Sequence, residues 1–258
     1  MAPHKQLSKL VGWIAPVVLV VAWQLSIATG LIRFRFFPTP VAVAQALQTL
    51  GSSGKLLTNT AHTVLVALVA WVIAGILGIC MGLVIGLSVP LWKGVMASVD
   101  VLRSLPIIAL IPVGVIIFGF TLKLEVVIAG YAAIWPIVVN TIAGVRQTRA
   151  ELLDVGKMLR MSRFERLRKL IFPSSMPLIL VGLRLGLGLS LVLTVVSEIV
   201  GTPKGIGYAL ISAEQALQPA QMFAYILVVG VVGYLLNSIF LYAARTISPG
   251  ENFGGNIQ

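Results

Sequence analysis

Six long apolar stretches dominate the pattern of the chain, at residues 11–28, 62–87, 96–120, 126–145, 176–200 and 222–244. Shorter polar segments separate them. A helix needs about 20 residues to cross the ~30 Å hydrocarbon core of a bilayer, and each stretch is near that length or beyond it. Within each stretch the apolar residues run on without a break. A membrane barrel would instead alternate polar and apolar residues over about ten positions. The pattern therefore predicts an all-α polytopic membrane protein with about six transmembrane helices.

Details inside and between the stretches add local expectations. Gly78, Gly82 and Gly86 follow Gly75 and recur every four residues, which puts small residues on one helix face for close packing. Pro106 and Pro112 interrupt the third stretch, and Pro136 and Asn140 lie inside the fourth. Between the first two stretches, Phe37-Pro38-Thr39-Pro40 breaks any helix. Residues 41–50 then predict a short amphipathic helix. Residues 90–93 read as a turn and 201–221 as a polar loop. No period of 20 to 50 residues marks an internal repeat. The expected division is an N-terminal helix and outer loop (1–60), a five-helix core (61–246) with a cytoplasmic loop at 146–175, and a tail (247–258).

Composition sharpens the solvent. Apolar residues make up 58% of the chain and charged ones 10%, with a mean hydropathy of +1.01. A soluble surface needs about a quarter charged residues, so lipid covers this one. A basic start before an apolar stretch is also how a signal peptide begins, but the first stretch is long for a cleaved core and five more follow.

The net charge of +11 carries orientation rather than a nucleic-acid partner, because basic loops stay in the cytoplasm. With the N-terminus inside, twelve Lys and Arg fall on cytoplasmic segments: Lys5, Lys9, Lys93, Arg146, Arg149, Lys157, Arg160, Arg163, Arg166, Arg168, Lys169 and Arg245. Five fall outside: Arg33, Arg35, Lys55, Lys123 and Lys204. Arg103 and Arg184 sit near inner helix ends and can snorkel. Both termini are expected in the cytoplasm. Cys80 is alone, which excludes an internal disulfide.

The segment from 146 to 169 holds eight basic and three acidic residues. Thr148 with Glu151, and Ser162 with Glu165, each fit a capping box. They predict two short helices, about 149–159 and 163–171, the second stopped by Pro173. Leu152, Val155 and Leu159 stripe the first, and Phe164, Leu167 and Ile171 the second. Such a hairpin can lie on an anionic leaflet or dock into a groove on a partner.

The spacing of this segment resembles the EAA loop of ABC-transporter inner-membrane permeases. That pattern is Glu-Ala-Ala, three residues, Gly, nine residues, Ile, one residue, Leu-Pro. It falls here on Asp154-Val155-Gly156, Arg160, Leu170 and Phe172-Pro173. Spacing is kept, identity loosely so, and Arg160 stands where glycine would ease the turn. Phe37-Pro38-Thr39-Pro40, the stretch from Arg103-Ser104-Leu105-Pro106 to Pro112, Met176-Pro177, Gly182-Leu183-Arg184 and Gly205-Ile206-Gly207-Tyr208 also resemble the nitrate, sulfonate, taurine and bicarbonate branch of that family.

The resemblance implies a type I importer permease of MetI-like architecture in a bacterial inner membrane. It implies a second permease copy as a homodimer, two ATP-binding cassette ATPase subunits and an extracytoplasmic solute-binding protein. ATP and Mg would be held by the ATPase, with no cofactor in this chain, which carries no Gly-x-x-x-x-Gly-Lys-Ser/Thr loop. Contact with the ATPase would fall to Asp154, Val155, Gly156, Lys157, Met158, Leu159, Arg160, Met161, Ser162, Arg163, Phe164, Glu165 and Pro173. The implied role is a transport subunit rather than an enzyme.

Polar groups inside crossings tend to face the bundle interior. Asn140, Ser190, Thr194, Ser197 and Glu198 are the candidates for a translocation path. Interhelical hydrogen bonding is the structural alternative for Asn140 and Thr194. For Glu198 it is capping a helix or pairing with Lys204, and His62 reads as an interfacial residue. A secondary transporter or a channel-like protein without an ATPase would want a charged relay or inverted repeats, and neither is visible. One Cys and only His4 and His62 give no metal-ligand pattern.

Overall fold

The computed structural model describes residues 14, 18–31, 34 and 36–247. The start of the first predicted crossing, the tail at 248–258, and Lys5, Lys9, Arg33 and Arg35 lie outside them. The described residues form α1 (Val18–Ala28), α2 (Pro40–Ser52), α3 (Lys55–Leu87), α4 (Val89–Ser104), α5 (Ile107–Phe118) and α6 (Leu122–Arg146). Then come α7 (Ala150–Met158), α8 (Arg163–Arg166), a π-helical turn (Leu167–Ile171), α9 (Phe172–Val200), α10 (Gly205–Gln215) and α11 (Pro219–Ile247). No strand occurs among the described residues.

Four helical segments are long and apolar enough to span a bilayer: Lys55–Leu87, Leu122–Arg146, Arg163–Val200 and Pro219–Thr246. The third predicted stretch is not one rod. Pro106 forbids the α conformation at Leu105, whose ψ is 131°, and α4 and α5 meet there at 84°. With 12 residues, α5 covers only about 18 Å, so the third predicted stretch is a bent pair of helices rather than a straight crossing. The turn expected at 90–93 is instead the first turn of α4, whose N-cap is Ser88.

Helix α6 is the axis of the bundle, clasped by α3 on one side and α9 on the other. Lipid solvates apolar side chains as well as another helix does, so association depends on close backbone approach. The glycine face expected on α3 provides it. A Cβ at Gly78 would lie 2.8 Å from Ile137, and one at Gly82 would lie 2.5 Å from Cβ of Thr141 and 3.0 Å from the Val138 carbonyl. From α9, Gly182 and Gly186 stand against the Pro136 and Ala133 carbonyls of α6 in the same way, at 2.9 and 3.0 Å. Hydrogen bonds add direction: Trp71 Nε1 donates to the Leu183 carbonyl (2.8 Å) and Ser190 Oγ to that of Ala67 (2.7 Å).

The peripheral helices attach by aromatic and aliphatic contacts. Trp23 of α1 packs on Phe37 and Phe223, with ring centroids 5.4 and 5.9 Å away. Thr39 caps α2 by accepting from Ala42 N (3.2 Å), and Pro40 begins the helix, where its missing N–H costs nothing. The short helix predicted at 41–50 is thus present and slightly longer. It buries Val43 and Leu50 against Ile206 and Tyr225.

Gly82→Ala puts a methyl against a β-branched side chain and a backbone carbonyl, and overpacking of this kind costs about 1–3 kcal/mol. We expect a clearly lower thermal midpoint in detergent for Gly82→Ala, and none for Gly230→Ala, where nothing lies within 4 Å. Equal midpoints would mean that the α3–α6 seam is not tight.

Candidate functional site

Polar chemistry concentrates at the two ends of the bundle. At one end α7 and α8 form a basic hairpin between α6 and α9. The expected Thr148 box is absent: Arg149 occupies the cap position of α7 without a side-chain bond, and Thr148 Oγ1 is buried without a partner. The Ser162 box is complete. Ser162 Oγ accepts from Glu165 N (3.2 Å), and Ser162 N donates to Glu165 Oε2 (3.0 Å).

The turn between the two short helices is a Schellman motif. Met161 N donates to the Gly156 carbonyl (3.0 Å) and Arg160 N to that of Lys157 (2.9 Å). Such a motif requires a left-handed residue, and Arg160 supplies it with φ 51°. This is the position where the resembling pattern has glycine, so arginine makes the turn at the expense of strain. Gly156 is where the hairpin closes: a Cβ there would meet Leu170 Cδ1 at 2.8 Å and Arg166 at 3.2 Å. The retained spacing from 156 to 170 is therefore a packing contact between the two arms.

Pro173 does not stop the second arm. Helix runs unbroken from Arg163 to Val200, and the π turn at Leu167–Ile171 absorbs the proline. A π turn already shifts the hydrogen-bond ladder by one residue, which makes room for a residue lacking an N–H. The first two turns, with Arg163, Glu165, Arg166, Arg168 and Lys169, are too charged for hydrocarbon and stand in water. Here the Ser162 backbone N–H, then its hydroxyl and Lys169, hold the Glu165 carboxyl below its usual range. A depressed carboxylate stabilises above its unfolded pKa, so the cap weakens as pH falls through the lowered value. Asp154 and Lys157 pair at 2.8 Å on the exposed side of α7. Met158, Leu159 and Phe164 are exposed at 83%, 64% and 69%, three large apolar side chains on a charged hairpin.

At the opposite end, α10 begins without a cap of its own. Its first N–H groups are met by side chains from two other helices. Ile206 N donates to Thr63 Oγ1 of α3 (2.9 Å), and Gly207 N to Glu198 Oε2 of α9 (2.8 Å). The Thr63 hydroxyl donates in turn to Glu198 Oε1 (2.7 Å). Thr63 and Glu198 are fully buried. A Cβ at Gly205, whose φ is +92°, would strike the Glu198 carboxyl, and one at Gly207 the Val195 carbonyl. Only this glycine pair lets the helix N-terminus settle on the carboxylate. Of the two structural roles weighed for Glu198, capping is the one present, and no ion pair joins it to Lys204 among the described residues.

Beside this cap, His62 Nε2 lies 3.0 Å from Glu125 Oε2, and Glu125 is 1% exposed. Neither was expected: His62 read as interfacial, and Glu125 fell just before the apolar stretch that α6 extends. A carboxylate four residues into a spanning helix was the available signal. His62, Glu125 and Glu198 offer ligand atoms within 4.8 Å of one another. Both Glu198 oxygens are engaged by Thr63 and Gly207, and Glu125 Oε2 by His62, so these side chains already have partners within the fold.

The other path candidates occupy helix seams. Ser190 and Ser197 donate to the Ala67 and Leu193 carbonyls, both at 2.7 Å, and Asn140 Nδ2 to the Pro136 carbonyl at 2.8 Å. Thr194 is buried with its hydroxyl unpartnered. Arg184 does not snorkel alone, since its Nε donates to Asn237 Oδ1 of α11 (2.9 Å).

The description "Binding-protein-dependent transport system inner membrane component" belongs to a family model that matches residues 74–251. Among curated proteins, one named as an aliphatic sulfonates transport permease, SsuC of Bacillus subtilis, is 29% identical over 96% of this chain and 90% of its own. The nitrate import permease NrtB of Leptolyngbya laminosa is 31% identical over 71% of this chain and 66% of its own. The bicarbonate transport system permease CmpB of Synechococcus elongatus is 31% identical over 68% and 63%. Among solved structures, an inward-facing MetNI methionine ABC transporter chain superposes with a TM-score of 0.61 at 18% identity, over 72% of this chain and 94% of that one. That likeness concerns the fold.

Substitutions at two positions test these ends. Thr63→Val leaves the Ile206 N–H unmet and strips one bond from a buried carboxylate, a loss of about 1–3 kcal/mol. Thr63→Ser is expected to keep most of it, and a Thr63→Val midpoint equal to wild type would refute the shared cap. Arg160→Gly should raise the midpoint by relieving about 1 kcal/mol of left-handed strain, whereas Arg160→Ile should lower it.

Proposed function

The chain belongs to the family of binding-protein-dependent transport system inner membrane components, and from that premise we propose that it is the membrane subunit of an ATP-driven importer for a small oxyanion or sulfonate. The relatives named for sulfonates, nitrate and bicarbonate support the substrate class. Two copies of this chain would sit on two ATPase subunits, and an external binding protein would deliver the solute.

The observation that carries the reading is the hairpin. Met158 and Leu159 at the end of α7, and Phe164 beside Arg163 at the start of the continuous helix long enough to cross the bilayer, leave large apolar surface exposed. Exposed apolar residues grouped on a charged element favour a partner's groove over the bare membrane surface. The stretch from Asp154 to Glu165 would be the coupling element. ATP-driven closure of the ATPase would move α8, and α8 would carry α9 with it. The basic hairpin faces the cytoplasm in this reading, and the shared cap of α10 faces the binding protein.

Phe164→Asp removes an aromatic anchor from such a contact, which costs about 2 kcal/mol or more, roughly thirtyfold in affinity. Arg163→Glu reverses the neighbouring charge. Both are expected to lose stoichiometric co-purification with the ATPase and to abolish solute uptake. Full co-purification with wild-type uptake in either variant would reject the coupling assignment.

A further inference from the structure

The polar residues expected along a path lie in helix seams, yet one charged pair at membrane depth lies in none. Asp100 and Arg103 of α4 pair at 3.0 Å, and both side chains are 49% exposed. The contacts of α4 with α6 set their depth. At the inner end, Arg146 stacks on Trp92, 3.8 Å from the ring centroid. Trp92, Val95 and Met96 pack on Ile85, Val138 and Ile142. Further along, Tyr131 Oη donates to the Leu102 carbonyl at 2.8 Å. Tyr131 is nine residues, about 14 Å, from the outer end of α6 and 15 residues, about 23 Å, from its inner end. Helix α4 thus climbs antiparallel to α6 and brings Asp100 and Arg103 near the middle of the bilayer, so Arg103 does not snorkel from an inner helix end.

The break between α4 and α5 lies at the same depth. Helix α4 ends at Ser104, and α5 begins at Ile107 with Pro106 in the cap position and no side-chain bond. The first N–H groups of α5 therefore have neither an intrahelical partner nor a side-chain cap. Beyond the break, Ile111 packs on Leu124 and Ile128 in the outer part of α6. Within hydrocarbon, irregular backbone persists only where protein buries it or where it lines a water-filled cavity. The described residues do not bury this one: Val101 and Ile108, on either side of the break, are each 62% exposed. Charged side chains turned toward lipid are costly as well.

We propose that the α4–α5 break and the Asp100–Arg103 pair beside it form one wall of a water-filled passage that a second copy of this chain completes, the pair wetting the wall while leaving it without net charge. A passage through the bilayer needs protein on its far side, and the importer reading above, on which this rests, supplies that copy. Neutrality suits a path for anions: a lone arginine would retain them, and a lone aspartate would repel them. The Arg103-Ser104-Leu105-Pro106 stretch then has a use for its arginine as well as its proline. Pro106 opens the helix, and the charged pair keeps the opening hydrated.

Two readouts test this in the complete complex with its ATPase and binding protein. The first is thiol labelling in lipid nanodiscs, where both faces are accessible, in a Cys80→Ser background. Thiols react as thiolates, which need water, so Ser104→Cys should react with a charged methanethiosulfonate about tenfold faster than Ile76→Cys, an exposed apolar position of α3. The difference is expected in the ATP-free or the vanadate-trapped complex. Equally slow rates in both would overturn the proposal, the outcome expected if lipid or a dry contact between copies covers the break. The second is uptake of labelled nitrate, bicarbonate and a short alkanesulfonate into proteoliposomes. For the anion that wild type imports, Arg103→Gln leaves Asp100 unpaired and should cut uptake about tenfold. Adding Asp100→Asn restores neutrality and should return uptake to within about threefold of wild type, because the two sites couple. A pair that only stiffens α4 would leave the double variant as impaired as the single one, and that result would also overturn the proposal. Should Arg103→Gln fail to assemble, labelling of Ser104→Cys decides alone. A wild-type complex that imports none of the three anions would sink the importer reading, while labelling still decides the passage.

Discussion

Lipid gives two apolar helices no hydrophobic reason to prefer each other, so this bundle depends on backbones that come close enough for dispersion and dipoles to act. Everything else is arranged around one such contact. Helix α6 is held between the glycine face of α3 and that of α9, at separations where a single methyl would meet a carbonyl. The buried surface of the three helices is correspondingly small-residued, with Ala67, Ala70, Ala74, Ala129, Ala132 and Ala133 among its members. Large residues such as Leu124, Ile137, Ile179 and Leu187 fill the space between these close approaches. Many other large apolar residues face outward.

The same scarcity of water governs the helix ends. A helix terminus leaves N–H or C=O groups that need partners. Where α10 begins there is no local cap, so Thr63 and Glu198 supply one from two crossings, and their own burial is tolerable because α10 is there. Where α7 and α10 end, a Schellman turn closes each through a left-handed residue that is not glycine, Arg160 and Leu217. Both ends of the bundle thus accept local strain to satisfy backbone groups.

Hydropathy made most of this legible: the spans near α3, α6, α9 and α11, the glycine face of α3, the short α2, and the basic hairpin with its Ser162 cap all follow from residue pattern. What failed did so for identifiable reasons. Pro106 looked like an interruption inside one crossing, but the constraint on Leu105 turns the chain by 84°. Pro173 looked like a stop, because periodicity cannot show that a π turn will take up the missing N–H. Thr63, which binds Glu198, and Glu125, which binds His62, lie 135 and 63 residues from those partners, and no local pattern relates them. Fold and hairpin are written in nearest neighbours, whereas the buried cap is written in tertiary contacts.

One helix connects the pieces. From Arg163 to Val200 the chain runs 38 residues, about 57 Å, without a break. Its first turns form the second arm of the hairpin, its middle carries Arg184, and Glu198 near its far end caps α10. The π turn is the one departure from regular α geometry near the aqueous end, and it lies between the exposed Phe164 and the first glycine seam. A displacement of the hairpin can therefore be taken up at that turn or passed on as motion of the rod against α6. Tight packing at Gly182 and Gly186 favours the second, because packed seams shift as units and do not deform continuously. A rod that moves as a unit moves the hairpin arm and the Glu198 cap together, which links the two ends of the bundle through a single covalent element.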